Sequence, residues 1–546
     1  MSLSSKAAGV IGAALLALGL AHILYLRFLY DDAFITFRYA ENFARGLGLV
    51  YNAGERVEGY SNFLWTLLMS GVIAAGGRPE ASSLVLGAGF ALATLLLVLL
   101  AARGRGLDSS QAGVLLAANS GWATWATGGL ETAMFTAFLT AGAILLGFGL
   151  GADPGEDPRA IVAPGSPRGR RPLRAFLLSA VAFGLASLTR PDGLLPTCCA
   201  AIVVVVLALK RQIAARHAAA WLAVVLGCVA PHLLWRLSYY GHLFPNTLAV
   251  KTPGLDRLGY GIAYLWRAFL DLNLYLLALP IALAALLRLR WLGLRRLDLV
   301  LIASILGPYL VYLASTGGDF MPAYRYVAPI LPLVALAAAA AVGSLGEALG
   351  ARAGRGVARV AVWGLLALYT ALNLRHSRLE QKVWVRGEVV SVGWARREMD
   401  EWTRIGDLLR RIALPTDTLA TTAGGAIPYR SGLYTIDLHG INAPDLSRYR
   451  RRSSERPGHM LYLDERWLDQ RPPQILLGHP LVHPTAASLA LGLDLRPEWH
   501  DRVLSHYELV GLTLMGRPTR FVGCGLRRDV ADRILEAGRR LRSQGP

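Results

Sequence analysis

Apolar runs long enough for a helix to cross about 30 Å of hydrocarbon recur along the first 375 positions, and then the pattern stops. They fall at about 7–29, 82–102, 110–126, 132–150, 175–188, 193–209, 218–236, 268–287, 298–315, 326–343 and 357–374. A shorter run, Phe63 to Ala75, reads as a helix dipping into or lying on one interface. The pattern predicts a polytopic α-helical membrane protein with about eleven transmembrane helices. Beyond about residue 376 charges become frequent and apolar runs shorten. There "EMDEWTRIGDLLRRI" spaces Trp402, Ile405, Leu408, Leu409 and Ile412 as one helix face, while "DTLATTAGGAIPY" and "LYTIDLHG" read as strands with turn punctuation. Residues 1–375 are therefore expected to form the membrane domain and 376–546 a soluble α/β domain.

Charge distribution orients the chain. Arginines cluster in "RGRG", "PRGRRPLR", "KRQIAARH", "RLRWLGLRR" and "ARAGRGVAR", all short connections between apolar runs. The positive-inside rule puts these loops in the cytoplasm and the remaining loops, with the C-terminal domain, outside. Counting 63–77 as a full span would put "PRGRRPLR" outside, against the rule. The first run has Lys6 as its only preceding charge and no small-residue cleavage site, so it is expected to stay as a span. Composition agrees: of 546 residues 54% are hydrophobic, with mean hydropathy +0.41. The net charge of +19 is accounted for by the loop clusters, so nucleic acid is not an expected partner. Four cysteines without a CxxC pair predict neither a disulfide framework nor a zinc site.

The outward loops carry the candidate chemistry. Asp31 and Asp32 sit where the first span should surface. Residues 33–45 read as an amphipathic interfacial helix, with Phe34, Phe37, Ala40 and Ala44 on its apolar face and Arg38, Glu41, Asn42 and Arg45 opposite. One acid is explained as the cap of this helix; a second is not. Ionisable groups at membrane depth are commonly functional. Glu131 follows two glycines at a helix start, Arg190 and Asp192 flank a proline turn, and "YYGHLFPNTLAVK" offers His242, Asn246 and Lys251. "GGDFMPAYRY" adds Asp319 and Arg325. A carboxylate at this depth can take the proton of an acceptor hydroxyl as it attacks a sugar carbon, while arginine or lysine holds a leaving phosphate. No nucleotide sugar is available outside the cytoplasm, so a lipid-phosphate donor with its tail in the bilayer suits the placement. A divalent cation is the one cofactor the acids leave open, although their spacing shows no oxygen-rich cage.

The stretch "DDAFITFRYAENFARGLGLVYNAGERVEGYSNFLW" resembles the bacterial C-type (GT-C) glycosyltransferases related to the mycobacterial terminal β-(1→2)-arabinofuranosyltransferases. "SGWATWATGGLETAMFTAF", "LTRPDG", "YYGHLFPNTLAVK" and "GGDFMPAYRYVAPILP" are similar to further blocks of that family, in the same order, and "GGAIPYRSGLYTIDLHGIN" extends the likeness into the C-terminal domain. The resemblance implies a bacterial inner-membrane enzyme with its site at the outer face. It implies a polyprenyl-phosphate sugar donor, an envelope glycan or glycoconjugate acceptor, and inversion at the anomeric carbon. Asp31 or Asp32 would be the base. Glu131 would position the acceptor or a metal, and Arg190, Arg325 and Lys251 would bind the donor phosphate. Asp319 would orient Arg325 or a sugar hydroxyl, and Tyr429, Asp437, His439 and Asn442 would face the acceptor. Arabinofuranose is the sugar this points to; mannose, glucose or aminoarabinose handed to protein or lipid A are the neighbouring alternatives. A polyprenyl-glycan transporter is the rival class. Transporters favour internal pseudo-symmetry and charged midplane helices, whereas here polar groups gather in outer loops.

Overall fold

The computed structural model describes residues 5–151, 167–247, 257–289, 294–378, 383–385, 388–443, 448–452, 461–463, 465–483, 503, 505–514 and 519–543. Fifteen described helices precede the C-terminal domain: α1 (Ser5–Leu26), α2 (Asp31–Ala44), α3 (Phe63–Ala74), α4 (Pro79–Gly104), α5 (Ser109–Ala117), α6 (Ser120–Thr124), α7 (Thr132–Gly149), α8 (Pro167–Thr189), α9 (Leu194–Leu209), α10 (Ala215–Tyr240), α11 (Leu258–Asp271), α12 (Tyr275–Leu286), α13 (Arg296–Thr316), α14 (Leu331–Ala353) and α15 (Arg355–His376). By length and composition eight spans qualify as membrane-crossing: Gly9–Leu26, α4, α7, Pro191–Leu209, α10, α13, Ala328–Ala353 and α15. These fall at eight of the expected runs.

Three expected runs take other forms. Residues 268–287 belong to the α11–α12 pair, bent by 92°. Asn273, at φ +54°, turns the chain between the two helices. The run at 175–188 is the shorter apolar part, Leu173–Thr189, of α8. The run at 110–126 is broken into α5 and α6. Asn119 ends the first and caps the second, accepting from the Trp122 amide, while its side-chain amide donates to Tyr369 Oη at 2.8 Å on α15. Two short helices joined at a buried asparagine replace one straight span because Asn119 competes for backbone hydrogen bonds. Helix α3 has 12 residues, too short to cross, in keeping with the interfacial reading.

The C-terminal domain opens with the hairpin β1 (Val383–Val385) and β2 (Glu388–Val390), followed by α16 (Val392–Ile412). Helix α16 buries Trp402, Ile405, Leu408, Leu409 and Ile412, the face its spacing predicts. Then come β3 (Thr418–Thr421), α17 (Ala426–Ser431), β4 (Tyr434–Asp437), β5 (Arg450–Arg452), β6 (Leu461–Leu463), β7 (Ile475–Gly478), β8 (Val482–His483), β9 (Tyr507–Leu514), β10 (Arg520–Arg527) and α18 (Arg528–Ser543). The main sheet runs β4-β3-β7-β10-β8, with β9 paired to β10; β3 is parallel to β4 and β7, and β10 is antiparallel to its partners.

Helix α2 differs from the expected interfacial helix. It is wedged between the bundle and the C-terminal domain, with Asp31, Phe34, Phe37, Arg38 and Tyr39 all buried. Arg38 does not face water. Its guanidinium donates to the carbonyls of Tyr51, Pro428 and Leu433, each at 2.7 Å, and to Asn52 Oδ1 at 3.0 Å. Four acceptors satisfy a buried charge that a lipid surface would leave without partners.

Candidate active site

Consecutive residues on a helix point about 100° apart, so the Asp31–Asp32 doublet faces two directions. Asp31 turns to the C-terminal domain, where its carboxylate accepts from the backbone amides of Gly425 (3.0 Å) and Ala426 (2.6 Å) at the start of α17. Burial pushes its pKa up to about 7 against the pull of these amides, with Asp32 and Asp437 adding to the rise. Asp32 turns the other way, half-buried, onto the wall of a cavity of about 320 Å³.

That cavity lies among α2, the start of α7, the α8–α9 corner, the ends of α10 and α13, and the loop after α13. Its polar wall is Asp32, Thr36, Asn62, Glu131, Arg190, Asp192, His232, Arg236, Arg257, Asp319 and Arg325; Leu130, Leu188, Val229, Leu233 and Phe320 supply the apolar wall. Exposed Leu243 and Phe244 border it, and Ile441 is the C-terminal domain's contribution.

Glu131 organises the polar wall. Gly129, at φ +78°, turns the chain into the N-terminus of α7. Glu131 then occupies the N-cap position, but its side chain makes no cap hydrogen bond. Instead Oε1 accepts from Arg325 Nη2 at 2.7 Å and Arg190 Nη1 at 3.2 Å, and Oε2 from Asn62 Nδ2 at 2.9 Å. Burial raises its pKa, but the two guanidiniums outweigh burial and hold it below the usual carboxylate range. Arg190 also grips Asp192 through Nε (2.8 Å) and Nη2 (2.9 Å), and Tyr309 donates to Asp192 Oδ2 at 3.2 Å. Two acids therefore balance two guanidiniums inside the protein.

A second buried pair stands across the cavity. Arg236, at the end of α10, donates through Nε to Glu58 Oε1 at 3.0 Å. Glu58 is fully buried and its Oε2 has no hydrogen-bond partner among the described residues. Burial raises its pKa to about 7 despite Arg236.

Of the residues singled out from sequence, Asp32, Glu131, Arg190, Asp192, Asp319 and Arg325 share this one cavity. Asp31 does not line it. His242 is also off it, stacked on Tyr240. Lys251 lies outside the described residues. Asn62 Nδ2 donates to Glu131, the same carboxylate that accepts from Arg325, and Asp319 Oδ1 accepts from the Met321 amide. Asp437 is turned inward, accepting from the His439 and Asn442 amides. Tyr429 packs on Phe34 and Phe37. Among the described residues no group of three or more His, Cys, Asp or Glu side chains is arranged to hold a metal.

Sequence reasoning missed Glu58, His232, Arg236 and Arg257. The signal for two of them was present: His232 and Arg236 interrupt the end of an apolar run, where polar groups are costly.

Residues 392–532 match a family described as a domain of unknown function (DUF8728). Over 253 residues the chain is 29% identical to the terminal β-(1→2)-arabinofuranosyltransferase of Mycobacterium tuberculosis (strain ATCC 25618 / H37Rv), a match covering 44% of this chain and 37% of that protein. The chain thus spans less than two-fifths of that relative's length. The structure superposes on ArnT from Cupriavidus metallidurans bound to undecaprenyl phosphate with a TM-score of 0.58 at 13% identity, covering 96% of this chain and 98% of that one. Against the apo state of the same protein the TM-score is 0.56. At that identity the likeness is one of architecture: this chain shares the polytopic helical fold of that ArnT, and a C-terminal sheet domain follows its helices.

Proposed function

We propose that this protein transfers a sugar, arabinofuranose, from a polyprenyl-phosphate carrier to a hydroxyl of an envelope glycan, with inversion. The observation that carries this reading is Asp32, a half-buried carboxylate on the wall of a roughly 320 Å³ cavity that also presents four guanidiniums. The fold shared with a protein crystallised with undecaprenyl phosphate supports a polyprenyl-phosphate donor, and the match to an arabinofuranosyltransferase supports the choice of sugar.

In this mechanism Asp32 accepts the proton of the acceptor hydroxyl as that oxygen bonds to the anomeric carbon. The bond from that carbon to the phosphate oxygen breaks, and the polyprenyl phosphate leaves with the electron pair. Arg190 and Arg325, fixed by Glu131 and Asp192, keep N–H groups for the leaving phosphate; Lys251 remains a proposed helper. Glu131 is assigned to holding these guanidiniums, in place of the acceptor or metal role the resemblance implied. The site and the C-terminal domain face outward from the bacterial inner membrane in this scheme, as the arginine-rich loops require.

The test is purified protein offered a panel of polyprenyl-phosphate sugars with an arabinan oligosaccharide. Decaprenyl-phosphoryl arabinofuranose should be consumed, and Asp32→Asn should lower turnover by about 10²–10⁴-fold, the range for a lost general base. Consumption of another sugar would correct the donor. Full turnover by folded Asp32→Asn would remove the base assignment.

A further inference from the structure

Asp31 stands next to the proposed base yet points away from the cavity, and the proposed chemistry does not use it. Both of its carboxylate oxygens are spent on the C-terminal domain, on backbone amides 394 and 395 positions away. The approach is close. A Cβ on Gly425 would lie 1.9 Å from the Asp31 carbonyl oxygen, so only glycine fits there. The same face of α2 continues the attachment two turns on, where Arg38 donates to the carbonyls of Pro428 and Leu433. Between them Phe34 and Phe37 pack on Tyr429. The loop after α2 adds Tyr51 Oη donating to the Gly424 carbonyl at 2.6 Å and Asn52 bonded to both the amide and the carbonyl of Thr435. Tyr39 Oη, farther along α2, donates to Asn442 Oδ1 at 2.9 Å.

We infer that Asp31 is a positioning residue: by clasping the 424–426 turn it locks α2 to the C-terminal domain and so fixes the direction in which Asp32 enters the cavity. The C-terminal domain, which touches the cavity through Ile441, then governs turnover through the rotation of α2. A rigid rotation of this helix moves Asp31 and Asp32 together, because they are adjacent on one backbone. An acid out of line by an ångström is costly to catalysis, about 10²-fold in well-ordered sites. This inference rests on the reading of Asp32 as the base.

The test uses the full chain, with decaprenyl-phosphoryl arabinofuranose as donor. Asp31→Ala should cut kcat about tenfold or more while leaving donor KM unchanged, since the donor's side of the cavity is intact. Asp31→Asn keeps one acceptor oxygen in the same shape and should fall between wild type and alanine. Tyr51→Phe removes a single hydroxyl at the same turn and should shift kcat in the same direction by less. Amide exchange at 424–433 should rise in the same order. Unchanged kcat in Asp31→Ala would overturn the inference. So would a loss equal to that of Asp32→Asn with exchange at 424–433 unaltered, which would make Asp31 itself the base. A rise in donor KM equal to the fall in kcat would mark a general structural lesion and also overturn it. Failure of the underlying reading shows separately, as turnover surviving in Asp32→Asn.

Discussion

Helix α7 carries a buried ion cluster at each end. At its N-terminus Glu131 holds Arg190 and Arg325. Roughly 27 Å away by helical rise, near its C-terminus, Asp298 takes Arg105 at 3.3 Å and Arg295 at 3.0 Å, with Arg105 laid over the Phe148 ring. Each sets a carboxylate against two arginines; the surroundings differ. Asp298 also accepts from the backbone amide of Arg295 at the start of α13, and Arg295 donates to the Gly147 carbonyl. None of that cluster's residues lines the cavity. The Glu131 end borders a cavity with a carboxylate across it. The charge balance differs as well: two acids with two guanidiniums beside the cavity, one acid with two at the other end. A cluster off the cavity and a cluster that holds guanidiniums against it are distinguished by what lies next to them, not by composition.

The largest break in this comparison comes from removing the shared acid. Glu131→Ala leaves Arg190 and Arg325 buried side by side, and removal of one partner from a buried pair typically costs about 3–5 kcal/mol. The folded fraction should fall sharply, and what folds should transfer no sugar. Asp298→Ala should also destabilise, but less, because the Arg295 side chain is 40% exposed and can turn to water. Its folded fraction should transfer sugar at the normal rate. Thermal unfolding with turnover per folded molecule reads both. Loss of turnover in folded Asp298→Ala would erase the distinction between the two ends.

A sharper, smaller test compares one arginine from each cluster. Arg325→Ala should raise donor KM about tenfold to a hundredfold, since a hydrogen bond to a charged group is worth about 1.5–3 kcal/mol. Arg105→Ala should leave donor KM unchanged. Equal donor KM in both variants would withdraw Arg325 from phosphate binding and leave it a structural partner of Glu131.

Much of this arrangement was readable from residue order. Eight of the long apolar runs coincide with helices long enough to span. The doublet at 31–32 stood out because charge at a span's end is expensive. What order alone hides is direction and distance. The apolar run at 110–126 gives no sign that Asn119 reaches Tyr369 on a helix 250 positions later. Arg38 looked like a solvent-facing residue because its four acceptors come from a loop of the membrane part and from a domain almost 400 residues downstream. Asp31 and Asp32 are chemically identical in the sequence, and only the partner at Gly425 tells them apart. Arg236 was legible as a charge ending an apolar run, but its value depends on Glu58, which sits in an unremarkable loop.

The smallest expected effect concerns pH and sets Glu131 against the two acids whose burial wins. Burial raises Asp31 to about 7, opposed by the Ala426 and Gly425 amides and reinforced by Asp32 and Asp437; burial likewise raises Glu58 to about 7 against Arg236. In the unfolded chain both release their protons near the ordinary carboxylate value of about 4. Between about pH 4 and 7 the folded protein therefore holds more protons than the unfolded one, and its stability falls as pH rises through that window, then levels off. Glu131 has the opposite sign: held low by Arg325 and Arg190, it contributes stability above the ordinary carboxylate range that is lost only on further acidification. The unfolding midpoint of the detergent-solubilised protein should thus be lower at pH 7.5 than at pH 5. Asp31→Asn removes one of the two titrating groups and should shrink the difference without abolishing it. A midpoint that rises over the same interval would mean that the amides of Gly425 and Ala426 hold Asp31 ionised throughout, and that its burial is fully compensated by the clasp.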